Sequence, residues 1–159
     1  MIDKNQAVVD YLIQCPQILN SPLYFNFINA KDDSNQFLTV SSDRYSNTTF
    51  IDGSVEKIYT FTIITYKSAA DIAVVKVEGV SNENILDMSD IQALIDWVKE
   101  QDDIHNYPNF GEDCIIDSIK PTTDNPNFDG IDEQISPPLA VYSTSFEIRY
   151  IDISKKLWR

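Results

Sequence analysis

The segment Val55 to Tyr66 (Val-Glu-Lys-Ile-Tyr-Thr-Phe-Thr-Ile-Ile-Thr-Tyr) constrains the fold more than any other part of the chain. It consists largely of β-branched and aromatic residues. Ile58, Thr60, Thr62, Ile64 and Tyr66 share one face, and Tyr59, Phe61, Ile63 and Thr65 share the other. Large apolar groups on both faces predict a central strand covered on both sides. A second long strand is predicted over Leu139 to Ile153. There Ala140, Tyr142, Thr144, Phe146, Ile148 and Tyr150 form a core face opposite Ser143, Ser145, Glu147 and Arg149.

Helical spacing appears twice. Val8, Val9, Leu12 and Ile13 predict a short helix over Asp3 to Gln14, capped by Asp3 and stopped by Pro16. Ile91, Leu94, Ile95 and Val98 form an apolar stripe on a second helix, Ser89 to Gln101. Ser89 and Gln92 open it as a capping box, and Asp90 sits in its first turn. Leu23–Asn29 and Phe37–Ser41 read as a hairpin across the polar turn Lys31–Gln36, and Cys114–Ile119 reads as a short strand. Asp43–Ser54 is loop-like, and Ala69–Val80 suits either a strand or a short helix. The expected class is α+β: a mostly antiparallel sheet with an N-terminal helix and a second helix packed on it. A chain of 159 residues, 43% hydrophobic, fits a single domain, 1–159. An extended loop, 121–138, and a basic tail, 154–159, complete it.

Charge is lopsided. Fourteen of the 25 acidic residues lie between Ser81 and Ala140 against only Lys99 and Lys120, a balance of −12 out of −13. The last nineteen residues carry +2, from four basic and two acidic groups. Such a field repels phosphate backbones and anionic lipid, which argues against specific nucleic-acid binding and against membrane binding. The N-terminus lacks the basic and apolar regions of a signal peptide. Cys15 and Cys114 suit small buried hydrophobes, so the chain is expected in a reducing cytoplasm.

No residue pattern marks chemistry. His105 is the only histidine and follows Asp102-Asp103 at a helix exit, with no second histidine or local cysteine to complete a metal set. Asn125 to Ser136 mimics a calcium loop, but its first position is Asn and its twelfth is Ser. No nucleophile elbow or phosphate-cradling glycine loop occurs. A non-enzyme without cofactor or metal is the expectation. Candidate interface residues are Phe128, Ile131 and Ile135, apolar groups in the polar 121–138 loop, together with Lys155, Lys156, Trp158 and Arg159 in the tail. The tail could meet a neighbouring copy's acidic block. Asp124, Asp129, Asp132 and Glu133 form a candidate acidic surface or passage wall.

Glu56–Ile63, the helix Met88–Gln101, Phe110-Gly111-Glu112-Asp113-Cys114-Ile115-Ile116 and Ser145–Tyr150 occur in an order that resembles the tail terminator and minor capsid (neck) proteins of tailed bacteriophages, also found in tail-like bacteriocins. The resemblance implies a hexameric ring of the protein itself that caps the tail tube, stops its polymerisation and presents a surface to the head connector. Its implied partners are the tail tube protein, the connector or neck protein and, where present, a contractile sheath. The implied location is the virion, after assembly in the bacterial host cytoplasm. A second reading, from another class, is a small acidic cytoplasmic binding module or inhibitor that engages a basic protein.

Overall fold

In a computed structural model, residues 3–19, 23–25, 34–39, 44–68, 83–123, 125–132 and 139–157 are described. The two long strands predicted from alternation form its axis. Strand β4 (Val55–Ser68) and strand β7 (Leu139–Asp152), each 14 residues, pair antiparallel without a break, from Val55 opposite Asp152 to Ser68 opposite Leu139. Shorter strands flank this ladder in pairs. On the β4 side, β3 (Arg44–Thr49) covers one end and β2 (Ser34–Thr39) the other, with β1 (Leu23–Phe25) beyond β2. On the β7 side, β5 (Cys114–Pro121) pairs with the later half and β6 (Asn127–Asp132) with the earlier half.

Helices α1 (Lys4–Leu12), α2 (Pro16–Leu19) and α3 (Glu83–Asp103) complete the α+β fold. Asp3 caps α1 as expected, its Oδ1 accepting from the backbone N–H groups of Asn5 and Gln6. Pro16 does more than end that helix: it opens α2, where its missing N–H and fixed φ suit a first helical position. The core joins Val8, Tyr11 and Leu12 of α1, Leu94, Ile95 and Val98 of α3, and Tyr59, Phe61, Ile63, Phe146, Ile148 and Tyr150 of the sheet. A smaller cluster of Ile91, Ala140 and Tyr142 continues it toward the other end of β7.

Several expectations need correction. Strand β4 is central, but only its Tyr59–Phe61–Ile63–Thr65 face is buried throughout. The other face is buried at Ile58 and Tyr66 and half-buried at Thr60, Thr62 and Ile64. Strands β1 and β2 pair parallel rather than as a hairpin, because period-two alternation carries no information about strand direction. Helix α3 starts at Glu83, so Ser89 and Asp90 lie in its interior and the capping box does not form. Gln92 instead donates to Asp96 Oδ1 at 3.1 Å, one turn on. The 121–138 loop contains β6, a fifth flanking strand, bulged where Phe128 and Gly130 oppose consecutive residues of β7. Ala69–Val80 lies outside the described residues.

Polar pairs tie the ladder. Thr62 and Ser145 hydroxyls meet at 2.8 Å across β4 and β7, and Arg149 reaches Glu56 at 3.1 Å. Lys57 Nζ donates to Asp152 Oδ2 at 2.8 Å. Burial would raise the Asp152 carboxyl, but Lys57 and the Ser154 groups outweigh it and hold the pKa at about 2. A carboxyl held below its usual range stabilises the fold above about pH 4, and that contribution is lost as pH falls toward 2. With the side chain 20% exposed, solvent reduces its worth to about 1–2 kcal/mol. Asp152→Asn is expected to lose that amount at neutral pH. It should also flatten the stability profile between about pH 4 and 2, as read by urea unfolding at each pH.

Candidate functional site

Strand β5 is the last strand on its side of the sheet, and a free strand edge invites pairing with another chain. Here the middle of the edge is engaged from within, at Asp117 and Ile119. A bulge between Ile116 and Ser118 leaves Asp117 out of the ladder with β7. Helix α3 ends beside this bulge in a turn where Asn106 N–H bonds the Gln101 carbonyl (2.9 Å) and His105 N–H bonds the Asp102 carbonyl (3.1 Å). This is a Schellman ending with His105 in the left-handed position, φ 56°. The turn holds Asp102 against the strand. Its Oδ1 accepts from the Ile119 N–H at 3.0 Å and from the Tyr107 hydroxyl at 2.8 Å. The same hydroxyl lies 3.1 Å from the Asp117 carbonyl.

Burial, then the hydrogen bond to Asp102 and nearby carboxylates, push the Tyr107 pKa up to about 12. The hydroxyl therefore stays a donor across the physiological range. His105 Nδ1 sits 3.3 Å from it. An open cleft of about 470 Å³ adjoins this junction, lined by Asp103, His105, Asp117, Ser118, Lys120 and Arg149 as well as Asp102 and Tyr107. Asp102 and Tyr107 are thus occupied in sealing the strand. Asp102→Ala leaves the Ile119 N–H and the Tyr107 hydroxyl without this acceptor, at an expected cost of about 1–3 kcal/mol. Faster amide exchange at Ile119 should accompany that loss, while Asp103→Ala should change neither.

The opposite feature is an outward tip. Beyond the Val55–Asp152 end of the ladder, Phe50 to Ser54 form a tight turn, with Phe50 N–H donating to the Ser54 carbonyl at 2.9 Å and Gly53 N–H to the Phe50 carbonyl at 3.0 Å. The C-terminal segment folds onto it. Leu157 N–H donates to the Asp52 carbonyl at 2.6 Å, and Lys156 Nζ lies 3.6 Å from Asp52 Oδ2. Gly53 has φ +88°, and a Cβ there would stand 2.6 Å from the Lys155 carbonyl oxygen, so only glycine fits both demands.

No protein-family model matches this chain, and no curated protein matches it.

The residues singled out in the sequence fall in three places. Phe128 and Ile131 lie in β6; the Phe128 ring packs on Tyr142 with centroids 5.3 Å apart, yet the side chain remains 43% exposed. Asp129, exposed, and Asp132 lie in the same strand. Lys155 and Lys156 belong to the folded-back segment after β7, far along the ladder from β6. Asp124, Glu133, Ile135, Trp158 and Arg159 lie outside the described residues. Among the described residues, the loop candidates in β6 and the lysines after β7 therefore lie apart.

Tyr107 and the Ile51–Gly53 turn are not singled out by the sequence, and Asp102 is only as a neighbour of His105. The Asp102-Asp103-Ile104-His105 run carries a signal for Asp102, whose meaning depends on β5 being an edge, and none for Tyr107. Among the described residues no group of three or more metal-ligating side chains clusters, and no helix is long and apolar enough to cross a membrane.

Proposed function

We propose that this chain is a virion structural protein that caps a phage tail tube as a ring of its own copies, ends tube growth and offers a joining surface to the head connector. The observation that carries the reading is the order and pairing of the elements. An N-terminal helix, a long central strand, a sheet-covering helix, an edge strand and a closing strand beside the central one follow the order on which the resemblance rests. A head-to-tail contact whose rotation closes makes a ring, and a hexamer is the expected size. Strand β6, with exposed Phe128 and Asp129, supports a role for the 121–138 region at a neighbour or at the passage. Acidic groups on such a wall would keep transiting DNA from adhering.

Native mass spectrometry of the purified protein, alone and with tail tubes, tests this reading. A single closed oligomer is expected in at least one condition, and a monomer in both would overturn it.

One observation favours the second reading, an acidic module that grips a basic protein. Asp96, Glu100 and Asp103 are exposed and spaced four and three apart, forming an acidic ridge on α3. A chain that stays monomeric with tubes and pairs in equal ratio with a basic protein would support it.

A further inference from the structure

The chain after β7 turns back as soon as the ladder ends. Asp152 Oδ1 accepts from the Ser154 N–H at 2.9 Å, and Lys156 N–H closes on the Ile153 carbonyl at 3.0 Å. From this bend the segment 153–157 reaches both flanks of the ladder. Ile153 N–H donates to the Asp113 carbonyl (2.8 Å), just ahead of β5, and Leu157 N–H donates to the Asp52 carbonyl (2.6 Å), in the turn between β3 and β4. That turn presents a fixed seat. Asp52 Oδ1 accepts from the Ser54 hydroxyl at 2.6 Å and the Ser54 N–H at 3.0 Å, and these bonds hold its carboxyl below the usual range. Its other oxygen faces Lys156 Nζ at 3.6 Å. Gly53 leaves room for the Lys155 carbonyl oxygen, which a Cβ would meet at 2.6 Å.

What holds this segment is unlike what holds the sheet. None of residues 153–157 is buried, and in the turn Phe50 and Ile51 are exposed as well. The Lys156–Asp52 pair is open to solvent and contributes little. Segments fixed by hydrogen bonds with little apolar burial open at low free energy and leave the packed core undisturbed. We propose that residues 153–157 and the Phe50–Ser54 turn form a latch that opens and closes as one unit while the β4–β7 ladder stays intact. Closed, the latch ties the β3–β4 turn to the start of β5 across the end of the ladder and keeps Lys156 paired within its own chain. Open, it frees the end of the chain as a short arm. Gly53 couples the two halves, because the Lys155 carbonyl seats only on a turn that carries no Cβ there. The latch belongs to the single chain and does not depend on the proposed ring.

Amide hydrogen exchange of the full chain, followed by NMR, tests the latch. In the wild type the Phe50, Gly53 and Leu157 amides should share one opening equilibrium. It should be at least about 100-fold more open than that of Phe61, which is paired on both sides within the sheet. Two variants probe the coupling from either half. Leu157→Pro removes the donor to Asp52 without touching the turn, and should speed exchange at Phe50 and Gly53 by at least about tenfold. Gly53→Ala blocks the seat without touching the segment, and should speed exchange at Leu157 by a similar factor. Unchanged exchange at Phe61 checks that each variant is folded, and the wild-type comparison decides even where a variant does not fold. A Leu157 amide as slow as that of Phe61 would make the segment part of the sheet, and one without protection would mean that it never closes. Turn amides indifferent to Leu157→Pro would mean two independent segments. Any of these three results would overturn the latch.

Discussion

Replacing Phe146 by alanine is expected to destabilise the fold by about 3–5 kcal/mol, the largest single-residue effect anticipated in this chain. Phe146 is fully buried at the middle of β7, where its partners are Phe61 on β4 and Pro121 on β5. Its ring stacks on Phe61 with centroids 5.2 Å apart and planes 23° from parallel. Truncation removes the transfer energy of the ring and its aromatic contact, and opens a cavity that a 14-residue ladder cannot collapse around. Urea unfolding should show a lower midpoint with an unchanged slope. A loss below about 1 kcal/mol would mean that the ring is not packed as described.

Ile95→Ala should cost about 2–5 kcal/mol, and Leu94→Ala a similar amount. Ile95 and Val98 are fully buried and Leu94 nearly so, and with Ile91 they form the stripe by which α3 covers the sheet. Helix propensity changes little in these substitutions, since alanine is the best helix former, so the loss reports packing alone. Asp96→Ala on the outward face is the control and should stay within about 0.5 kcal/mol. Equal effects at Ile95 and Asp96 would contradict the orientation of the helix.

What could be read from the sequence follows from how strongly burial imposes a period. Strand β7 was legible to within one residue, because every second side chain from Ala140 to Tyr150 is buried and the residues between them are mostly polar. The stripe on α3 was legible for the same reason. Its start was not, since a serine with a glutamine three residues later occurs within helices as well as at their ends, and Gln92 found Asp96 instead. Strand β6 escaped because Asn-Phe-Asp-Gly-Ile-Asp contains poor strand formers; its pairing with Leu139–Ser143 of β7 overrides local preference.

The sites were less legible than the fold. In the sequence Asp102 stands out only as a neighbour of His105, and its role as acceptor for Ile119 and Tyr107 appears only once β5 is known to be an edge. The tip depends on Gly53 meeting Lys155, a contact between residues about a hundred positions apart that no local pattern encodes.

The most direct measurement is the length distribution of tail tubes polymerised with and without this protein, seen by negative-stain electron microscopy. If the chain caps tubes, its addition should stop growth at a uniform length and leave a ring of density at one end. Tubes that grow to the same broad lengths with bare ends, at saturating amounts of folded protein, would contradict tail capping.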